Sequence, residues 1–458
     1  MSLLGIFLGL IVLVILTFKD MSILWVAPVA AMVTALCSGF NLLDAFLGYT
    51  NDAGTLVGYM PGLANYVRSW FPVFALGAIF GKLMDVTGAA RAIGKWLSKV
   101  IGAKRAVAAV VLTCGLLTYG GISLFVVVFV MYPLGVELFR EANLSRRILP
   151  GAISAGAFTF SMTAMPGSPQ LTNIIPTQYF GTDALAAPII GIVCAIIMAG
   201  CSIWWLTMRA NKLAAGGEVF TEPTNLTDTG ADKDLPSTVA SFIPPLVIIV
   251  GYNLLTRIHT FMGKEEAIFN TTQALVLGEI VGVILLIVLM FNRFGGVRNI
   301  IDTVNAGAQG SMAAILNTAS GVGFGAVVQI VPGFQQLAQV MTGATGVPPL
   351  LAEALGIQVL AGATGSSSGG LSIGLAALQE QLLAAAEAAN ISPQAFHRVA
   401  SIAAGGLDSL PQCGAVITLL AVTGFTNKEA YFDIGMVCCV FPIIACIVAI
   451  IMGSIGIV

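Results

Sequence analysis

Long apolar runs alternate along this chain with short polar connections, in the rhythm of a protein that crosses a bilayer repeatedly. Runs such as 188–207, 242–255 and 441–458 approach, with their flanks, the roughly 20 residues that span a membrane. The pattern predicts ten crossings, at about 3–17, 22–39, 67–87, 146–181, 186–208, 239–257, 272–291, 304–331, 394–424 and 432–457. Two further stretches, 104–139 and 348–388, bend at tips that carry no charge, Thr118-Tyr119-Gly120-Gly121-Ile122-Ser123 and Thr364-Gly365-Ser366-Ser367-Ser368-Gly369-Gly370. Loops that emerge into water normally carry some charge, so both stretches read as re-entrant hairpins with tips inside the membrane.

The order of these elements occurs twice. Gly120-Gly121-Ile122-Ser123 is followed by Ala142-Asn143-Leu144-Ser145 and by the break Met165-Pro166-Gly167-Ser168-Pro169-Gln170. In the second half Gly369-Gly370-Leu371-Ser372 is followed by Ala389-Asn390-Ile391-Ser392 and by Asp408-Ser409-Leu410-Pro411-Gln412. Upstream, Gly77-Ala78-Ile79-Phe80-Gly81 resembles Gly321-Val322-Gly323-Phe324-Gly325. The expected organisation is N-terminal helices (1–66), a first repeat (67–208), a linker (209–236), scaffold helices (237–303) and a second repeat (304–458). The fold class is therefore an all-α polytopic membrane protein, an inverted-topology repeat with two hairpins and two broken helices (146–181 and 394–424).

Charge sets the expected orientation. Basic residues in short loops mark the cytoplasmic side. Placing Lys19, the cluster Arg91–Arg105, then Arg140, Arg146, Arg147, Arg209, Lys212, Lys233, Arg293, Arg298 and Lys428 inside accounts for 15 of the 20 Lys and Arg. Arg68, Arg257, Lys264 and Arg398 then lie outside, Lys82 sits within a span, and both termini face outside. The first hairpin is flanked by basic clusters and the second is not, so the two enter from opposite sides. Composition agrees, with 57% hydrophobic and only 9% charged residues against about 25% charged in soluble domains. A net charge of −2 without basic–aromatic clusters gives no sign of nucleic-acid binding. The eight cysteines have no metal-ligand spacing, and His259 and His397 fall in polar connections. No metal or other cofactor is expected.

Broken helices put chemistry in the membrane. Freed backbone is tolerated there only where it faces protein or a water-filled cavity, and paired breaks in two halves point to a transporter binding site. A helix that starts in mid-membrane offers unpaired N–H groups and about half a positive charge. Such starts are expected near Gly121, Gly167, Gly370 and Pro411, and they suit a carboxylate without an arginine. Hydroxyl and amide groups around them are candidate substrate ligands: Thr118, Tyr119 and Ser123 at the first tip, Ser168, Gln170, Thr172 and Asn173 at the first break. Ser366, Ser367, Ser368 and Ser372 stand at the second tip, Ser409 and Gln412 at the second break, with the backbone of Gly120, Pro166 and Gly369 alongside. Asp408 is the coupling-ion candidate, either as a proton carrier or cation ligand or, equally, as a fixed cap on a half-helix. Glu279 and Glu353 lie nearer predicted membrane ends and are expected to be solvated or capping. Lys82 and Asp85 suggest a structural i,i+3 pair.

The chain resembles the gluconate permease family of the ion transporter superfamily along nearly its whole length. The resemblance is carried by Gly120-Gly121-Ile122-Ser123-Leu124-Phe125 with Tyr132-Pro133-Leu134, by Ala142-Asn143-Leu144-Ser145-Arg146-Arg147, by Pro150-Gly151, and by Met165-Pro166-Gly167-Ser168-Pro169 with Asn173-Ile174-Ile175-Pro176-Thr177. It implies proton-driven uptake of sugar acids and small hydroxy-carboxylates across the bacterial inner membrane, a homodimer, and an elevator-like motion of hairpins and broken helices against a scaffold. Typical gluconate carriers look like Phe-Glu-Val-Gly at the first tip and Pro-Pro-His-Pro-Gly-Pro at the first break. Here Tyr119-Gly120-Gly121-Ile122 and Ala164-Met165-Pro166-Gly167-Ser168-Pro169 replace them, without the Glu and the His. A smaller monocarboxylate such as 3-hydroxybutyrate thereby joins gluconate as a candidate substrate, and Na⁺ joins H⁺ as a candidate coupling ion.

Other classes fit less well. A channel needs a continuous polar lining or a filter ring. Gly370-Leu371-Ser372-Ile373-Gly374 matches the nucleophile-elbow pattern, but the strand–turn–helix context it requires is missing. The expectation is a transporter and not an enzyme.

Overall fold

The computed structural model describes residues 2–19, 21–51, 54–102, 105–122, 124–223, 235–261, 268–334, 347–411 and 413–458. Ser123 and Gln412, expected at the site, lie outside the described residues.

The amino-terminal part comprises α1 (Ser2–Phe18), α2 (Ile23–Cys37), the short α3 (Leu42–Leu47) and a two-stranded antiparallel ribbon, β1 (Tyr49–Thr50) and β2 (Leu56–Val57). Then come the long α4 (Tyr59–Val86) and the amphipathic α5 (Ala89–Ile101). The first hairpin is α6 (Ala106–Tyr119) with α7 (Leu124–Glu141). The first broken helix is α8 (Leu149–Ala157), α9 (Phe160–Thr163) and α10 (Leu171–Phe180), followed by α11 (Pro188–Ala215). Three long helices come next: α12 (Thr238–Phe261), α13 (Thr271–Leu289) and α14 (Val297–Ile330). The second hairpin is α15 (Pro349–Thr364) with α16 (Ser367–Ala388), and the second broken helix is α17 (Pro393–Ala404) with α18 (Gly414–Thr423). The chain closes with α19 (Asn427–Gly435) and α20 (Phe441–Ser454), joined by a π turn over Met436–Val440.

Six of these helical stretches among the described residues are long and apolar enough to cross a membrane: 59–86, 188–215, 238–259, 271–289, 297–330 and 427–454. With α1, α2 and the two broken helices they make the ten crossings read from the sequence. Large apolar side chains stand outward on them, including Ile196, Trp204, Val239 and Val288, as lipid-facing surfaces require. The expected crossing at 67–87 begins earlier, at Tyr59, because Gly58 at φ 136° turns the chain into a helix whose first turn packs on α14.

The matching motifs of the two halves take the same backbone form. Asn143 (φ 53°) and Asn390 (φ 51°) both adopt the left-handed conformation, which asparagine tolerates better than most residues. Two residues on, Ser145 and Ser392 each accept a hydrogen bond from the backbone N–H of the first turn they cap. The hairpin tips turn at Gly121 (φ 86°) and Gly365 (φ 59°), and the broken helices end at Gly181 (φ 63°) and Gly424 (φ 73°). The equivalent helices α4 and α14 run antiparallel, Gly62 lying against Ala326 and Ile79 against Gly307. Antiparallel equivalents are what inversion of one half relative to the other produces.

Two bodies emerge from the packing. Helices α1, α2, α4, α12, α13 and α14 pack on one another, and so do the hairpins, the broken helices, α11 and α20. Between the bodies α14 presents Gly321 and Gly325, which form a shallow groove for Ile373 of α16. Small residues let membrane helices approach closely. At one end of the second body, Glu218 and Glu222 at the start of the linker are held by Ser145 (2.6 Å) and Arg140 (two contacts of 2.8 Å). Arg147 reaches the carbonyl of Glu429 at 2.6 Å, tying α19 to the same corner.

Candidate functional site

The first break is held open by its own side chains. Seven residues, 164–170, separate α9 from α10, and their carbonyls have no helical partners. Tyr119 Oη donates to the Pro166 carbonyl at 2.9 Å, and Tyr252 Oη and Asn253 Nδ2 donate to that of Gly167 at 2.5 and 3.3 Å. Asn173 Nδ2 donates to the carbonyls of Ser168 and Ala184, both at 2.9 Å. Ser168 Oγ turns back to Ser161 O at 3.0 Å, and Thr172 Oγ1 to Met162 O at 2.5 Å. Gln170 Nε2 donates to the Thr118 carbonyl at 2.6 Å, pinning the break to the first hairpin tip.

A buried cation completes this frame. Arg398 of α17 has no exposed surface and donates to the carbonyl of Ala186 from Nε (3.1 Å) and Nη2 (2.7 Å). It also reaches Ala184 O at 3.4 Å and Asn173 Oδ1 at 2.8 Å. His397 beside it is equally buried and pairs with Thr182 Oγ1 at 2.6 Å. His397 was expected in a polar connection, and the structure corrects this by placing it, with Arg398, in a buried helix. Their short helix is polar in sequence because it docks on the peptide groups of the other half. Ser401 Oγ, donating to Thr163 O at 2.7 Å, adds a further bond between the two broken helices.

The second break, residues 405–413, is less occupied. Ser409 Oγ donates to Asp408 Oδ1 at 3.1 Å, and Tyr431 Oη donates to the Ser409 carbonyl at 3.2 Å. Ser367, at the start of α16, also faces the Asp408 carboxyl, so the second tip and second break meet there.

A cavity of about 650 Å³ lies where all four interruptions converge. That is within the usual range for a small-molecule site. From the first hairpin it is lined by Gly121 and Leu124, from the first break by Pro169 to Thr172. The second hairpin contributes Thr364 to Gly369, and the second break Asp408, Ser409 and Cys413 to Ala415. The opposite wall is the other body: Val73, Phe74, Gly77, Ala78 and Phe80 of α4, Glu279 of α13, and Ser311, Asn317 and Thr318 of α14. The starts of α7, α10, α16 and α18 therefore face one volume. Gln170 and Cys413, which precede α10 and α18, make no side-chain cap bond to the helices they start. Among the described lining residues the charged types are Glu279 and Asp408 alone, with no Lys, Arg or His.

The expected ligands divide accordingly. Gly121, Gln170, Thr172, Ser366, Ser367, Ser368, Gly369, Asp408 and Ser409 line the cavity. Thr118, Tyr119, Gly120, Pro166, Gly167, Ser168, Asn173, Gly370, Ser372 and Pro411 do not. Several of these hold the break open instead, since a hydroxyl next to freed carbonyls bonds to the nearest of them. Gly370 serves packing, because a Cβ there would lie 2.2 Å from the backbone N of Ala361 in the other hairpin arm. Glu279 and Glu353, expected to be solvated or capping, are both buried, at 6% and 1% exposure. Asn317 and Thr318 were missed, their polarity on α14 being indistinguishable in sequence from ordinary helix packing. The Lys82–Asp85 pair forms at 3.3 Å as expected.

The sequence profile of the GntP family permeases matches residues 1–408. The uncharacterised transporter YxjC of Bacillus subtilis is 36% identical over 463 residues, covering 95% of both chains. An uncharacterised transporter of Haemophilus influenzae is 24% identical over 254 residues, 54% of each chain. Among solved structures, the YdaH transporter of Alcanivorax borkumensis, described as having an unusual topology, superposes with a TM-score of 0.59 over 97% of both chains. At 14% identity that likeness concerns the fold. The helical membrane fold, the duplicated interruptions and the profile match agree: this chain is a multi-pass membrane transporter and belongs to the GntP permease family.

Proposed function

We propose that the protein is a secondary active symporter for a small hydroxy-monocarboxylate or sugar acid, 3-hydroxybutyrate-like or gluconate-like, driven by protons. The observation that carries this reading is the convergence of four helix starts on a single cavity that holds two carboxyls and no cationic side chain. Helix N-termini supply the positive potential for an anion. Hydroxyl groups of Ser366, Ser367, Ser368 and Thr172 along the walls suit a hydroxylated substrate. An anion, however, enters beside Asp408 only when that carboxyl is neutral, because like charges at close range in a low dielectric repel strongly. Proton and substrate then load together, with Asp408 as carrier.

Na⁺ coupling has weaker support. The carbonyls that could ligate Na⁺ at the first break, those of Pro166, Gly167 and Ser168, already accept side-chain hydrogen bonds. The division into two bodies, with small residues between hairpin and α14, supports an elevator-like movement of the hairpins and broken helices. In the working assembly we place the protein in the bacterial inner membrane as a homodimer with both termini outside.

Uptake of gluconate, glycerate, lactate and 3-hydroxybutyrate into proteoliposomes, under separate proton and Na⁺ gradients, tests this. Accumulation of at least one of them, driven by the proton gradient alone, is expected. Asp408→Asn should reduce that accumulation at least tenfold. No carboxylate accumulated under either gradient overturns the reading.

A further inference from the structure

The cavity has a second acidic group, and it stands on the opposite body from Asp408. Glu279 is the ninth residue of the 19-residue α13, halfway along a membrane-crossing helix. It is 6% exposed and lines the cavity. Its Oε1 faces Gly77 of α4, 3.4 Å from where a Cβ there would stand, and its Oε2 has no hydrogen-bond partner.

The charged and titratable groups on the elements around it are paired elsewhere or stand well along their helices. On α4, Lys82 pairs with Asp85, and Arg68 lies nine residues from Gly77, about 14 Å along the helix. The phenols of Tyr59 and Tyr66 lie still further along α4. On α12, Tyr252 donates to the Gly167 carbonyl, Arg257 pairs with Asp183, and His259 Nδ1 contacts the Thr256 carbonyl of its own helix. On α10 the titratable group is Tyr179, seven residues beyond Thr172, the last residue of that helix to line the cavity. Asp408 is the other acid at the cavity. An unpaired carboxylate in such surroundings is costly, and a proton is the simplest neutraliser.

We propose that Glu279 is a second protonation site, fixed on the stationary wall, whose charge decides whether an anion can occupy the cavity. Resting on the carboxylate-symport reading above, this assigns the two acids different duties. Asp408 travels with the substrate and carries the proton, while Glu279 stays behind and controls loading. When Glu279 is neutral it can donate a hydrogen bond to a substrate oxygen. When it has lost its proton it repels the carboxylate and raises the half-saturation concentration. An inert structural acid would do neither.

Two measurements on the full-length protein test the proposal. With 3-hydroxybutyrate and gluconate as probes, the wild-type KM is expected to rise at least tenfold between pH 5 and pH 8. Glu279→Gln, a permanently neutral isostere, should cut that rise at least threefold, the remainder belonging to Asp408, and Glu279→Asp should restore the full rise. The second measurement needs no substrate. Dicyclohexylcarbodiimide, which modifies protonated carboxyls within membranes, should label the peptide containing Glu279 faster as pH falls, in wild type and in Asp408→Asn alike. Parallel KM profiles for wild type and Glu279→Gln, or a Glu279 peptide unlabelled throughout pH 5–8, would overturn the proposal. If wild type takes up neither probe, the carboxylate reading falls for these substrates, and the labelling alone decides the role of Glu279.

Discussion

Arg398 brings a full charge into the interior of the protein and, among the described residues, forms no ion pair there, Asp183 acting on it only at longer range. Its donors go to peptide carbonyls and one amide oxygen of the first half, more than 200 residues away. A planar fork of N–H groups suits that task and a lysine ammonium does not. Arg398→Lys keeps the charge but loses at least two of these bonds. At roughly 1.5 kcal/mol or more for each bond to a charged group, the variant should lose about 3 kcal/mol, measured as a lowered thermal midpoint of the purified protein. Sequence reading places Arg398 outside by counting charges and crossings, and that count carries no information on what the side chain meets. What makes the segment a buried helix is the carbonyls of Ala184 and Ala186, non-helical acceptors supplied by the other half. By contrast Asn143 and Asn390 are legible in sequence, since the left-handed turn and serine cap they begin are encoded within four adjacent residues.

At the level of elements, interruptions are legible where local chemistry dictates them. Uncharged Gly/Ser tips announce both hairpins, observed at 106–141 and 349–388 against the expected 104–139 and 348–388. Which residues at an interruption face the substrate is a different question, because a serine beside freed carbonyls bonds in whichever direction the fold leaves an acceptor. Ser168 and Thr172 show this: similar in sequence context, both bond backwards, yet only Thr172 lines the cavity. The glycines separate in the same way. At Gly370 a side chain would drive α15 and α16 apart, whereas at Gly414, on the cavity wall, a Cβ meets nothing within 4 Å. Gly370→Ala should therefore cost about 1–3 kcal/mol of stability through overpacking, with reduced yield and thermal midpoint. Gly414→Ala should fold normally, and any effect it has should appear in the substrate KM. A Gly370→Ala protein as stable as wild type would remove the packing role assigned to it.

For the whole molecule, the contacts that matter most are those joining the two bodies, and no local pattern reveals them. Besides the bond from Gln329 Nε2 of α14 to the Ala376 carbonyl of α16, the polar ones lie along the first broken helix. Tyr252 and Asn253 hold the Gly167 carbonyl, Gln178 Nε2 donates to Thr272 Oγ1 at 2.9 Å, and Arg257 pairs with Asp183 at 2.7 Å. A body that slides must release all of them, so their sum holds the protein in this state. The Arg257–Asp183 pair is the one suited to interference, because both side chains are partly exposed, at 46% and 35%. An exposed pair contributes about 1 kcal/mol or less, so replacing both residues should leave the protein folded. In Asp183→Cys/Arg257→Cys, bridging the two thiols with a bifunctional methanethiosulfonate should lower uptake at least tenfold, and reduction of the bridge should restore it. Each single cysteine variant treated identically should keep its uptake, which separates the bridge from modification of the native cysteines. If the doubly substituted protein transports equally well bridged and unbridged, the segment at Asp183 does not move relative to α12. The carrying body would then be smaller than the packing implies, reduced to the hairpins without the first broken helix.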